Sequence, residues 1–156
     1  MKIGIVGKGF VGSAVQFGFS PNVGCDAEVR VYDIDPNKST HTLEETVNES
    51  DFVFLSVPTP SNKDGSMNLD IVEQALSDIS NVNENEHNIV LLRSTVVPGT
   101  TRELQLRFDN LRIVFNPEFL TEQNAKYDFI NQARIIIGGG DTMIQKHDVE
   151  KVGDLY

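Results

Sequence analysis

The stretch KIGIVGKGFVG, residues 2–12, decides the fold of this chain. Its first five residues are an apolar, partly β-branched run that predicts a strand. A GxGxxG pattern from Gly7 to Gly12 follows directly and opens into a helix-like segment. A strand, a glycine-rich turn and a helix in this order predict the first βα unit of a dinucleotide-binding fold.

Each glycine of this turn has a mechanical task. Gly7 permits the tight strand-to-helix turn, Gly9 lets the backbone approach a pyrophosphate, and Gly12 lets the helix pack closely on the strand. The pyrophosphate would then lie on free N–H groups at the positive end of the helix. The alternative is a glycine-rich turn without a ligand. The loop residues predicted to bind a cofactor are Gly7, Gly9, Phe10, Val11 and Gly12.

An acidic residue in the right place favours the ligand-binding interpretation. Asp33 ends the second predicted strand about 20 residues beyond the last glycine, where a carboxylate can accept hydrogen bonds from an adenosine ribose. Asp33 and Asp35 would also repel a ribose 2′-phosphate, so NAD is favoured over NADP. Lys38 and Arg30 leave a phosphate partner open, although Lys38 also fits a solvated loop position.

Apolar runs and helix-like segments alternate along the rest of the chain. The predicted strands are residues 2–6, 28–32, 51–57, 88–92, 111–115 and 133–137. The predicted helices are residues 10–19, 43–48, 69–79, 100–108, 119–127 and 142–152. This alternation predicts a single α/β domain over residues 1–156, a Rossmann-type doubly wound parallel sheet of six strands in the order 3-2-1-4-5-6. The polar residues 61–68 predict an exposed loop.

Composition excludes several classes of protein. No apolar run approaches the ~20 residues of a membrane helix, and the start does not resemble a signal peptide, so a cytoplasmic protein is expected. Cys25 is the only cysteine, which excludes an internal disulfide, and the three histidines lie far apart, so no metal site is expected. The net charge of −10 makes nucleic acid an unfavourable partner.

Polar groups beside prolines follow the third, fourth and fifth predicted strands, in the segments VPTP (57–60), RSTVVPGT (93–100) and NPEFL (116–120). Ligands collect at the carboxyl ends of the strands in this fold, and proline-stiffened loops hold polar groups at low entropic cost. The alternative is that Pro98 merely starts a helix and that Thr59 and Thr95 satisfy local backbone groups.

The segment NPEFLTEQNA, residues 116–125, predicts a helix start. Asn116 suits an N-cap, Pro117 suits the first helical position, and Glu118 would gain about 0.3–1 kcal/mol from the helix dipole. Glu122 would lie one turn further along the same face. Local structure explains Glu118, whereas the like charge of Glu122 would cost about 0.2–0.5 kcal/mol there, which permits a ligand-facing site without requiring one.

Taken in order, GKGFVG, Asp33, SVPTPSNKDGSMNLD, RSTVVPGTT, NPEFLTEQNA and RIIIGG resemble the N-terminal domain of the UDP-glucose/GDP-mannose dehydrogenase family, from Lys2 to about Gly140. Similar enzymes bind NAD on this domain and oxidise the C6 hydroxyl of a nucleotide sugar, such as UDP-glucose, to a uronic acid.

The resemblance also implies roles for single residues. The segment from Glu118 to Glu122 matches a stretch that lines the sugar nucleotide, and Glu122 matches the glutamate assigned to water activation in the final hydrolysis. The candidate catalytic residues are therefore Glu118, Glu122 and Thr95. The positions that match NAD contacts are Val11, Asp33, Lys38, Thr59, Thr95 and Glu122.

The chain also departs from the family pattern. The central helix, the substrate domain and the nucleophilic cysteine of that domain have no counterpart here, and Cys25 is not expected to replace it. Only residues 34–50 separate Asp33 from the third predicted strand, where family members carry a longer helical segment. Three functions stay open. The first is the NAD-binding domain of a nucleotide-sugar dehydrogenase whose activity resides in a longer assembly or requires a separately encoded second half. The others are a non-catalytic NAD-binding or interaction module and a stand-alone reductase for another hydroxy or keto substrate.

Overall fold

The computed structural model describes every residue from Met1 to Tyr156, and its centre is one parallel β-sheet. The strands are short apolar runs rich in β-branched residues, which suit the pleated surface of a sheet covered on both sides. They are β1 (Lys2–Val6), β2 (Glu28–Tyr32), β3 (Phe52–Leu55), β4 (Ile89–Leu92) and β5 (Ile113–Phe115), in the order β2-β1-β3-β4-β5. All four pairings are parallel, so the carboxyl ends of the strands meet at one edge.

Six α-helices connect or follow the strands. They are α1 (Phe10–Gly18), α2 (Leu43–Asn48), α3 (Asp70–Val82), α4 (Thr100–Arg107), α5 (Ala125–Ile130) and α6 (Met143–Gly153). Capping boxes set the starts of α2 and α6, in which Thr42 pairs reciprocally with Glu45 and Thr142 with Gln145. None of the helices combines the length and the apolar character needed to cross a bilayer.

The sheet separates two hydrophobic cores. Neighbouring residues of a strand point to opposite faces, so Phe54 belongs to the core under α1, α5 and α6, while Val53 and Leu55 belong to the core under α2, α3 and α4. Burial on both faces explains why the strands read as continuous apolar runs. The parallel α/β class predicted from the sequence is therefore confirmed.

The predicted strand order 3-2-1-4-5-6 is wrong on the β2 side. The short α2 packs against β1 and β2, and the chain then returns to the far side of β1, where β3 pairs with it. Residues just beyond β2 close its outer edge: Thr40 and His41 donate their N–H groups to Val31 O at 2.8 and 3.2 Å. Val31 N–H in turn donates to Thr40 Oγ1 at 3.0 Å. No strand can add where these groups are occupied.

The predicted sixth strand, residues 133–137, is also wrong. The chain meets β5 only at Gly138, whose N–H and C=O bond Phe115 at 2.7 Å in an isolated antiparallel bridge. Ile135 and Ile136 are 37% and 42% exposed, unlike the residues of the five strands that form the cores. The side chain of Gln105 accepts the N–H of Ile113 at 2.9 Å and occupies part of the same edge.

The helix predicted over residues 119–127 begins later than expected. The segment NPEFL is not helical, a short 3₁₀ turn spans Glu122–Asn124, and α5 starts at Ala125. Asn116 is 1% exposed and engaged in the core, so it does not act as an N-cap. The prediction that Glu118 and Glu122 share one helical face is therefore wrong.

Candidate dinucleotide-binding site

A cleft of about 1050 Å³ opens at the carboxyl ends of the strands. The glycine loop, the end of β2, the VPTP segment, one side of α3 and the loops after β4 and β5 form its walls. The predicted site residues that line it are Gly7, Gly9, Phe10, Val11, Asp33, Lys38, Thr59, Thr95 and Glu118. A second concavity of about 840 Å³ lies beside α4 and β5 and contains none of the predicted site residues.

Close backbone contacts explain two of the glycines. Gly7 has a φ of 93°, and a Cβ at this position would lie 2.5 Å from Ser56 O. A Cβ at Gly12 would lie 2.1 Å from Gly7 O, so only glycine lets α1 approach the turn. Gly12 is buried and does not line the cleft. Its task is therefore to shape the loop and not to touch a ligand.

The start of α1 offers free hydrogen-bond donors to the cleft. Gly9 occupies the N-cap position, and no side chain caps the helix. The first helical bond runs from Ser13 N–H to Gly9 O at 3.0 Å, so the amides of residues 10–12 have no acceptor within the helix. A Cβ at Gly9 would meet nothing within 4 Å, which leaves open space directly beside these amides. Such an end binds a phosphate group.

Asp33 joins the second strand to the glycine loop. Its Oδ2 accepts the N–H of Lys8 at 2.6 Å, and its Oδ1 accepts the N–H of Asp35 at 2.9 Å. The hydroxyl of Ser39 donates to Asp33 O and accepts the N–H of Asp33, both at 2.9 Å. The carboxylate is thus fixed at the cleft wall, and its remaining lone pairs can accept ribose hydroxyls. The sequence predicted a ribose contact for Asp33, which stays a prediction, and did not anticipate its contact with the loop.

These features fit the two ends of NAD. Free amides and open space at Gly9 suit the pyrophosphate, and Asp33 suits the adenosine ribose. Leu43 and Ile71 also line the cleft, and Ile34, which is 93% exposed, stands at its rim. This apolar wall suits a flat base. Lys38 is exposed at the same end, beside Asp35.

A buried polar cluster lies behind the other end of the cleft. Arg93, directly after β4, pairs with Glu118 through its Nη2 and donates to Asn116 Oδ1 and, at 2.9 Å, to the Tyr156 hydroxyl through its Nη1. The Tyr156 hydroxyl donates to Asn116 Oδ1 at 2.7 Å. No role was predicted from the sequence for Arg93, which was named only within the segment RSTVVPGT. The available signal was an arginine directly after a fully apolar strand.

Burial dominates the protonation behaviour of this cluster. It lowers the pKa of the Arg93 guanidinium from its ordinary value, and the contact with Tyr156 opposes that shift. Burial likewise raises the pKa of the Tyr156 hydroxyl, and Arg93 opposes it. Tyr156 is therefore neutral at neutral pH.

The remaining predicted site residues have different surroundings. Thr95 is exposed at the cleft, while the neighbouring Ser94 donates its hydroxyl to Val57 O at 2.6 Å and ties the loops after β3 and β4 together. Thr59 is half-buried in the same wall. Glu122 is exposed at the start of the 3₁₀ turn and does not line the cleft, so the structure does not bring it together with Glu118 there.

The fold and the cleft define a Rossmann-type dinucleotide-binding domain. The model of the UDP-glucose/GDP-mannose dehydrogenase family, NAD binding domain, matches residues 37–156. This chain belongs to that family, represents its NAD-binding domain, and has NAD as its cofactor.

Individual relatives agree with this assignment. The UDP-glucose 6-dehydrogenase of Campylobacter jejuni is 32% identical over 187 residues, which cover 100% of this chain and 45% of that enzyme. An uncharacterized protein of Methanocaldococcus jannaschii is 30% identical over 185 residues, which cover 100% of this chain and 20% of that protein. The chain thus spans less than half the length of these relatives.

Solved structures show the same fold. A UDP-glucose dehydrogenase from the hyperthermophilic archaeon Pyrobaculum islandicum superposes with a TM-score of 0.80 at 27% identity, covering 99% of this chain and 43% of that one. A GDP-mannose dehydrogenase from Pseudomonas aeruginosa, solved as a ternary complex, gives a TM-score of 0.78 at 25% identity with the same coverage.

Proposed function

We propose that this chain is the cofactor-binding half of a nucleotide-sugar dehydrogenase, which oxidises a CH–OH group of a substrate such as UDP-glucose with NAD as acceptor. The observation that carries the proposal is one cleft with Asp33 and the open glycine loop at one end and the Glu118 carboxylate at the other. NAD supplies the hydride acceptor when it is bound. In this proposal, Asp33 and the glycine loop orient the dinucleotide, and the loop after β5 holds the Glu118 carboxylate at the cleft.

The geometry supports Glu118 as the acid/base group of this chain. A general base must be able to reach the proton that it removes, and Glu118 lines the cleft whereas Glu122 does not. Thr95, exposed between the loops after β3 and β5, is placed to hydrogen-bond a substrate or cofactor group. Glu122 stays a candidate for a contact that forms only when a sugar nucleotide is present.

The sugar nucleotide requires a further part of the enzyme in this proposal. Cys25 lies between α1 and β2, packs against the core under α1, and does not line the cleft. It therefore does not serve as the nucleophile for a second oxidation. A separate substrate domain is the partner that would complete the site.

A non-catalytic NAD-binding module is the second candidate function. It is favoured by the engagement of Glu118 with a buried arginine. In this case the cleft would bind NAD, while the Glu118 carboxylate would serve only to neutralise the buried charge of Arg93. The two candidates differ in turnover and not in cofactor binding.

Calorimetric titration with NAD tests the cofactor site. Asp33→Ala should weaken NAD binding by about 1–3 kcal/mol, because a charged hydrogen bond to the ribose is lost. Asp26→Ala is the matched control, since Asp26 is an exposed carboxylate outside the cleft, and it should leave the affinity unchanged. Equal affinities of the wild type and Asp33→Ala would place NAD elsewhere.

Turnover separates the two candidate functions. The purified chain is mixed with NAD and UDP-glucose, alone and with the substrate domain of a relative added, and NADH absorbance is followed. NADH formation in either mixture would exclude the non-catalytic module. NAD binding without NADH in both mixtures would favour that module, and absence of NAD binding would contradict both candidates.

A further inference from the structure

Arg93 is a cation placed in an apolar part of the molecule. The residue is 3% exposed, and its guanidinium carbon lies 5.6 Å from the ring centroid of Phe54 and 5.8 Å from that of Phe129. Both rings belong to the core under α1. Burying a charge costs free energy unless the charge is paired and hydrogen-bonded. The partners of Arg93 therefore indicate its role.

Three side chains hold the guanidinium. Glu118, whose side chain is 5% exposed, pairs with Nη2, while Asn116 and Tyr156 share Nη1. The Nε atom is buried and has no acceptor. The partners come from the loop after β5 and from the end of the chain beyond α6, so Arg93 fastens three parts of the molecule at one point.

Glu118 differs from the other carboxylates of the cleft. Asp33 and Asp35 are half-buried, Asp70 and Asp78 are exposed, and none of them forms an ion pair. Only Glu118 both lines the cleft and pairs with a buried cation. A carboxylate in such an apolar place takes up a proton when no cation accompanies it, and then it cannot accept another.

We propose that Arg93 is a positioning residue that holds Glu118 ionised and fixed at the wall of the cleft. Asn116 and Tyr156 orient the guanidinium so that Nη2 faces the carboxylate. This role rests on the proposed function, in which Glu118 is the acid/base group. Lysine cannot replace Arg93 fully, because its single ammonium group lacks the planar fork that serves Glu118 and the Asn116–Tyr156 pair together.

The direct test follows the carboxyl carbon of Glu118 by ¹³C NMR as a function of pH, with the signal assigned by Glu118→Gln. Arg93 is the charged group that faces it, and Tyr156 is the titratable group on the other side of the same guanidinium. In Arg93→Met the protonation midpoint should move upward by more than one pH unit. Arg93→Lys should restore an ionised Glu118 at neutral pH with an altered chemical shift. Tyr156→Phe should keep it ionised but broaden its signal.

Arg107→Met is the matched control. Arg107 forms a surface ion pair with Glu73, in which the side chains are 59% and 33% exposed and neither residue lines the cleft. This variant should leave the Glu118 titration unchanged. An unshifted Glu118 midpoint in Arg93→Met, or an equal shift in Arg107→Met, would overturn the proposal.

A double variant keeps the proposal testable if Arg93→Met does not fold. Arg93→Met/Glu118→Gln removes both charges and should fold, with a cooperative thermal transition that Arg93→Met alone lacks, because no unpaired charge remains. A double variant no more stable than the single one would overturn the proposal. NAD binding tests the proposed function separately. A wild-type chain that does not bind NAD would refute that function without changing the Glu118 titration.

Discussion

At the scale of single residues, the three glycines of the loop differ in whether a side chain could fit at their position. Gly12 is packed against Gly7 O, whereas the space beside Gly9 is empty. The same residue type is therefore required by packing at one position and leaves open space at another, where we propose that the ligand lies. The sequence pattern predicts a glycine at both positions, whereas only the structure shows which of them is required for packing.

Paired alanine variants test this difference. Gly12→Ala should lower the free energy of unfolding by about 1–3 kcal/mol or more, because the new Cβ collides with the backbone. Gly9→Ala should leave it nearly unchanged, since its φ of −78° is accessible to alanine, but should weaken NAD binding at least about tenfold. Thermal unfolding and calorimetry measure the two effects. Equal affinities for Gly9→Ala and the wild type would show that the pyrophosphate does not pass this residue.

At the scale of elements, the loop before α5 replaces a predicted helix. Asp128 of α5 accepts the N–H of Thr121 at 2.8 Å and its hydroxyl at 2.6 Å. These two bonds hold the segment after Glu118 against α5 and favour a loop over an earlier helix start. Side-chain hydrogen bonds to the backbone compete with helix formation in this way.

The pH dependence of this loop follows from the same contact. Hydrogen bonds from the side chain and the backbone of Thr121 lower the pKa of Asp128 below its ordinary value of 3.8. The stabilisation is therefore present above that ordinary value and is lost as the pH falls through the lower pKa of the folded state. Amide signals of residues 119–124 should shift in this acidic range, as measured by NMR. Asp128→Asn should abolish the shift, and a wild-type-like titration of this variant would assign it to another group.

At the scale of the whole molecule, a buried ion pair attaches α6 to the sheet. Asp148, which is 1% exposed, binds Arg112 beside β5 through Nη2 and, at 3.1 Å, through Nε. Arg112 also donates to His87 O at 3.3 Å. Because α6 leads to Tyr156, this pair also secures one partner of Arg93.

Breaking this pair should loosen α6. Asp148→Asn should destabilise the fold by about 3 kcal/mol, because Arg112 loses the charge that compensates it. Hydrogen exchange should rise most in α6. The control is Glu73→Gln in the surface pair with Arg107, which should cost less than about 1 kcal/mol. Equal losses for the two variants, measured by chemical denaturation, would contradict this assignment.

The sequence by itself determined several local elements and indicated many of the residues that line the cleft. Strands β1 and β2 and helix α2 lie where their patterns predict, because apolar runs, glycine turns and capping residues act over a few neighbours. The sequence brought the glycine loop and Asp33 together for the same reason, since their spacing reflects one βα unit, and both line the cleft. The family resemblance was confirmed by the match over residues 37–156.

The tertiary structure alone decided the strand order and the environment of Glu118. Thr40 and His41 close the edge of β2, and Gly138 meets β5 at a single bridge, so the sheet has five strands in a different order. Glu118 and Arg93 are far apart in the sequence and meet only because β4 and β5 are neighbours. Local patterns specify which residues form an element, whereas burial and long-range pairing specify which residues meet.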